Sequence, residues 1–163
     1  MQKPGQSMGH ENCLVRAMRE LPEARLVVKP HPAEGAAPYV AAAGATASLV
    51  VAPGDADLGR LTALASVLVT VNSTAAIEAM VLDVPALIVG LPNNLSPFVD
   101  AGAMAGAWTL DEIGPRLRSL LYDREMRRAL GEARQGFMRQ YGLRADGAAA
   151  DRAAEAIISL ARI

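Results

Sequence analysis

Four short apolar runs set the strongest limit on what this chain can fold into: LVVK (26–29), SLVVA (48–52), VLVTV (67–71) and ALIVG (86–90). Each is nearly continuous and shows none of the polar alternation of a half-solvated strand. Strands written this way are expected to be buried on both faces, as in a parallel sheet covered by helices. Helical stretches lie between and ahead of them, at 11–21, 58–65 and 73–82. Strand and helix alternating in steps of roughly twenty residues predict βαβ units. After residue 110 the strands stop. Residues 111–123 and 124–142 read as amphipathic helices, with Leu117, Leu120 and Leu121 on one face and Met126, Leu130 and Phe137 along one stripe. The mixed charges around Arg127, Arg128, Arg134 and Arg139 read as a solvated face. A final Ala-rich helix, 146–163, is expected to dock on the sheet. The fold class is therefore α/β: a Rossmann-like parallel sheet flanked by helices, one domain over 1–163, with the helices of 111–163 packing on it.

Composition narrows the function. Hydrophobic residues make up 52% of the 163 and charged residues 20%, so the chain is globular. The formal net charge is −1 and aromatics are only 4%, which argues against a nucleic-acid reader with its basic face and stacking rings. The single Cys13 allows no internal disulfide, and no Cys/His cluster has zinc spacing. No apolar run approaches the ~18 residues of a membrane span. The first ten residues lack a signal-peptide core. The expected location is the cytoplasm. No P-loop, no nucleophile elbow and no dinucleotide fingerprint occur.

In an open parallel sheet ligands bind beyond the carboxyl ends of the strands. The segments that follow the four runs are PHPAEG, PGDAD, NST and LPNNLSP, so the polar clusters of an apolar half fall at one edge. Loops are polar in any case. The residue types go further. Asn72, Ser73 and Thr74 occupy a strand-to-helix turn. One of them suffices as an N-cap, and three suit the approach of an anion to the helix start. Glu78 misses the capping-box position counted from any of the three and lies four residues after Thr74, on the same helix face. Two readings of Glu78 stand level: a solvent-facing side chain, or a carboxylate accepting paired hydroxyls such as those of a ribose. His31 sits between Pro30 and Pro32 in a stiff loop and is suited to meeting a phosphate. Lys29 is a second cation or a strand-end cap. Asn93, Asn94 and Ser96, between Pro92 and Pro97, are either a sugar-contacting loop or a turn motif. Ser7 and His10 precede the first helix in a similar loop and are further candidate phosphate contacts.

The combination VVKPHP and VNSTAAIEAMVLDVPALIVG resembles the C-terminal, nucleotide-sugar-binding half of GT-B glycosyltransferases. It is most similar to the bacterial surface-polysaccharide group: capsule and lipopolysaccharide transferases, Kdo- and polysialyl-transferase-like proteins, and CDP-glycerol glycerophosphotransferases. The resemblance covers residues 5 to 140. It implies that His31 and the Ser73/Thr74 turn hold the donor phosphate, that Glu78 holds the ribose, that Pro53 and Gly54 lie along the base, and that the loop from Asn93 to Ser96 faces the sugar. It implies no metal and no cofactor, with the nucleotide-sugar as substrate. Work at the inner membrane surface also fits the group.

GT-B enzymes react in a cleft between two halves, and this chain resembles one. The expectation is a fragment or subunit inactive without an N-terminal acceptor half, or one assembling as a homo-oligomer. The half-domain's first, central strand has no counterpart ahead of the first helix. Either the first and third runs then pair directly, or a groove separates them; a well-paired strand from 1–10 would overturn this. Two alternatives remain. One is a UDP-sugar 2-epimerase-like protein, whose Gly pair VNSTAAIEA lacks. The other is a non-catalytic nucleotide-binding module.

Overall fold

The computed structural model describes residues 14–31, 35–43, 48–144 and 146–161. Helix α1 covers 14–19, followed by β1 (Leu26–Val28), α2 (Ala37–Ala43), β2 (Leu49–Val51), α3 (Leu58–Leu64), β3 (Leu68–Thr70), α4 (Ala75–Val81) and β4 (Ala86–Val89). Then come α5 (Ser96–Asp100), β5 (Ala105–Ala107), a 3-10 turn (Leu110–Glu112), α6 (Ile113–Tyr122), α7 (Arg124–Gln140) and α8 (Ala149–Ala161). All strand pairings among the described residues are parallel. The protein is α/β and Rossmann-like, a small single domain of parallel strands flanked by helices. Among the described residues no helix is long and apolar enough to cross a membrane.

Among the described residues the strands form two sheets. β1 pairs with β2, with Leu26 opposite Leu49, and the order of the other sheet is β3-β4-β5. Among the described residues β1 and β3 are not paired with each other. Direct pairing of the first and third runs, one of the two expected arrangements, is therefore not seen among the described residues. Residues 1–13 lie outside the described residues.

β4 is the centre of the fold, and all four of its residues are buried. Side chains alternate across a strand, so ALIV feeds two cores. Ala86 and Ile88 meet Ala76 and Met80 of α4, along with Leu91, Leu95, Ala103 and Met104. Leu87 and Val89 meet Ala17 of α1, Leu21, Ile113, Leu117 and Leu120 of α6 and Leu130 of α7. Complete burial of a Leu or Ile side chain stabilises by about 1.5–3 kcal/mol. The face anticipated for 111–123 is therefore the buried one.

Three expectations are corrected. First, of the four apolar runs only the one that forms β4 is buried on both faces. β3 is half-buried throughout, and Val27 of β1 and Val50 of β2 are 50% and 46% exposed, because the β1–β2 pair is a two-stranded ribbon with no flanking strand among the described residues. Second, α8 buries none of its residues, and Ile157, Ile158 and Leu160 are exposed. Its start is organised locally instead: Asp146 accepts from the backbone N–H of Ala148 and from Arg152, whose guanidinium holds the Asp146 carboxyl below its ordinary range. Third, Arg134 is buried and pairs with Asp83, while Arg127, Arg128 and Arg139 are solvated as expected.

Asp83 explains how α4 turns into β4. Its φ is 61°, in the left-handed region. The Val84 N–H donates to Ala79 O at 2.8 Å and the Asp83 N–H to Met80 O at 3.3 Å. These two bonds are a Schellman closure, with Asp at the position usually held by Gly.

On α3, Thr62 is buried, and its Oγ1 has no hydrogen-bond partner among the described residues. A buried unmade hydroxyl bond is unfavourable. Thr62→Val keeps the branched shape and removes that group, so it is expected to raise stability by about 1 kcal/mol. A higher urea midpoint at unchanged slope is the expected readout; a lower midpoint would mean the hydroxyl is satisfied in solution.

Candidate functional site

The hydroxyl turn is built by β3 running into α4. Val71 is half-buried, and then Asn72, Ser73 and Thr74 are all exposed before Ala75 and Ala76 return to the core. The N-cap of α4 is Thr74, which makes no side-chain capping bond. Ser73 Oγ does that work instead, accepting from the Ala75 N–H at 3.2 Å. Ala76 N–H donates to Ser73 O and Ile77 N–H to Thr74 O, while Ser73 N–H donates to Thr70 Oγ1 at 3.3 Å.

This changes the chemistry open to the turn. The backbone N–H groups of 75–77 are spent inside the protein, so a bound anion would be met by side-chain donors. Ser73 Oγ already accepts a bond, which strengthens its own O–H as a donor. The Thr74 hydroxyl stands beside it, free of any capping role.

With Thr74 as N-cap, Ile77 is the third helical residue and Glu78 the fourth. The structure thus agrees that Glu78 is outside a capping box. Glu78 is exposed, whereas Ala79 and Met80 beside it are buried. Its carboxylate stands one helical turn from Thr74 on the solvent side.

The loop after β4 is tied to the end of β3 by Asn93. Asn93 Nδ2 donates to Val71 O at 2.7 Å, and to Val89 O and Gly90 O at 3.4 Å each. Asn93 Oδ1 accepts from the Leu95 N–H at 2.8 Å, and Ser96 Oγ accepts from the Asn93 N–H at 2.9 Å. Of the two readings of this loop, the turn motif describes Asn93, whose amide is occupied on both sides. Asn94 is the exposed amide of the loop. The Leu91–Pro92 bond is cis.

The other expected site residues follow β1 and β2. Lys29 Nζ donates to Gly54 O at 2.7 Å, so Lys29 and the Pro53–Gly54 loop are joined. Pro53, Gly54 and His31 are exposed, and Pro30, after the end of β1, is buried. These residues belong to the β1–β2 sheet, whereas Asn72, Ser73, Thr74, Glu78 and Asn93–Ser96 belong to the three-stranded one. Ser7 and His10 lie outside the described residues. Among the described residues no three His, Cys, Asp or Glu side chains converge as a metal site requires.

Sequence reasoning missed Trp108. It follows β5 at the same carboxyl edge and is half exposed, and its backbone N–H donates to Glu112 Oε2 at 3.1 Å. The available signal was a single Trp in a chain with few aromatics.

Comparison with known proteins gives one family. No curated protein matches the chain. A family model described as capsule polysaccharide biosynthesis protein matches residues 2–97. That span takes in the hydroxyl turn, Glu78 and the Asn93–Ser96 loop, and more than half of the chain. The chain belongs to the capsule polysaccharide biosynthesis family, a membership that points to surface-polysaccharide synthesis.

Proposed function

We propose that this chain is the donor-binding half of a metal-independent glycosyltransferase of surface-polysaccharide synthesis, taking a nucleotide-sugar and working with a separate acceptor-binding half. The observation that carries the reading is the Asn93 clip. It fastens the loop after β4 to the end of β3, so Asn94 shares one rim with the exposed Asn72, Ser73, Thr74 and Glu78. In this reading the Ser73 and Thr74 hydroxyls donate to the donor phosphate. The Glu78 carboxylate, a turn further on, accepts the two ribose hydroxyls. His31, Lys29 and the Gly54 backbone line the β1–β2 side of the donor. Transition-state stabilisation then consists of donors fixed where charge develops on the leaving phosphate.

The test is titration with CMP, CDP, UDP and GDP, following backbone amide shifts. One nucleotide is expected to give saturable shifts at residues 72–78. Glu78→Ala and Ser73→Ala are each expected to weaken it roughly tenfold, the worth of one good hydrogen bond to a charged group. If no nucleotide moves those amides, the donor-site reading falls.

A further inference from the structure

We propose that Trp108 and Glu112 form the pyranose platform of the site, an assignment that rests on the donor-site reading above. The indole is half exposed at the carboxyl end of β5, where Leu110 is also exposed. It is not a loose surface side chain. A Cβ built on Gly106 would meet Leu91 Cδ1 at 2.6 Å, Val99 Cγ1 at 2.7 Å and Trp108 Cη2 at 3.2 Å, so the far edge of the ring lies over Gly106 beside Leu91 and Val99. A glycine within a strand marks such a close approach. Leu91 and Val99 flank the loop that carries Asn94. The ring therefore continues the rim of the proposed donor site outward from β4 to β5.

The polar partner is in place as well. Glu112 Oε2 accepts the Trp108 N–H at the strand end, and the other carboxylate oxygen has no partner among the described residues. A fixed aromatic face covers the apolar C–H face of a pyranose. A carboxylate beside it accepts from equatorial hydroxyls. An aromatic surface with a few placed polar groups is the usual make-up of a small-molecule site.

Trp108 is the only tryptophan, so selectively excited tryptophan fluorescence reports this position alone. UDP-glucose, UDP-N-acetylglucosamine and CMP-N-acetylneuraminate are each titrated against the bare nucleotide, with amide shifts at 72–78 followed in parallel. A saturable fluorescence change with one nucleotide-sugar, absent with its nucleotide, is expected. By calorimetry Trp108→Ala is expected to weaken that nucleotide-sugar about threefold to tenfold and leave the nucleotide unchanged, with Trp108→Phe largely retaining affinity. An equal fluorescence response to the bare nucleotide would overturn the sugar assignment. So would full nucleotide-sugar affinity in Trp108→Ala. Amide shifts at 72–78 without any Trp108 response sink this inference and spare the donor-site reading; silence at both positions sinks both.

Discussion

Gly106→Val is expected to cost about 3 kcal/mol or more and to leave little folded protein at moderate urea. Two effects compete at this position. Replacing a strand glycine lowers the entropy of the unfolded chain and by itself stabilises by about 0.4–1 kcal/mol. No positive φ stands in the way at Gly106. Against that stand contacts of 2.6 Å and 2.7 Å to Leu91 and Val99 for the Cβ alone, before valine adds two more carbons. Leu91 is buried and belongs to the core beneath β4 and β5, so it has little room to withdraw. Overpacking of this kind costs about 1–3 kcal/mol for a single methyl, so it outweighs the entropy gain. Gly106→Ala is thus expected to be destabilising too, by less. Pairing it with Leu91→Ala should recover part of the loss, since the two changes share one space. Urea midpoints of the three variants and the double mutant decide it. A Gly106→Ala midpoint at or above wild type would show that the strand yields and that the ring of Trp108 is not tightly seated.

β5 is also where the sequence was hardest to read. Ala105, Gly106 and Ala107 carry no β-branched or aromatic side chain, and nothing in AGA distinguishes a strand from a turn. Pairing with Leu87, Ile88 and Val89 makes it one. The four Val- and Ile-bearing runs were legible because their β-branched side chains fit a pleated surface wherever they are placed. How deeply each is buried was not legible. Continuous apolarity describes β4, the middle of three strands, and overstates β1, β2 and β3. The helices α2 and α5 escaped notice for a related reason: each is short, and α2 buries none of its residues, so neither shows a clear apolar stripe.

The site divides along the same line. The hydroxyl turn and the register of Glu78 depend on residues a few positions apart, and counting along the chain recovers them. The role of Asn93 depends on Val71, twenty-two positions earlier, which strand pairing brings within reach. An amide with that many internal partners looks, in sequence, the same as one waiting for a sugar. Trp108 is similar: its exposure follows from its place after an edge strand that the sequence did not reveal.

Arg134 shows the cost of such a distant partner most plainly, and it carries the second large effect. It is 4% exposed, and its only counter-charge among the described residues is Asp83, fifty-one positions away. Arg134 Nη2 also donates to the Asp83 carbonyl at 3.3 Å, while Nε and Nη1 have no partner among the described residues. Asp83→Asn keeps a residue tolerant of the left-handed φ and removes the charge. It is expected to lose about 2–3 kcal/mol, at the low end for breaking a buried pair because the Asp83 side chain is largely solvated. Asp83→Ala should lose about 1 kcal/mol more, from backbone strain at φ 61°. Arg134→Met is expected to be near neutral, because it takes away the charge and both orphaned donors together and leaves an apolar stem in an apolar place. The asymmetry is the diagnostic. If Arg134 is a buried charge tolerated only through Asp83, the double variant Asp83→Asn/Arg134→Met should be clearly more stable than Asp83→Asn alone, with a coupling above about 1 kcal/mol. Additive losses of equal size from the two single variants would instead mark the pair as an ordinary solvated contact. The α4–β4 turn would then be held by its Schellman bonds alone.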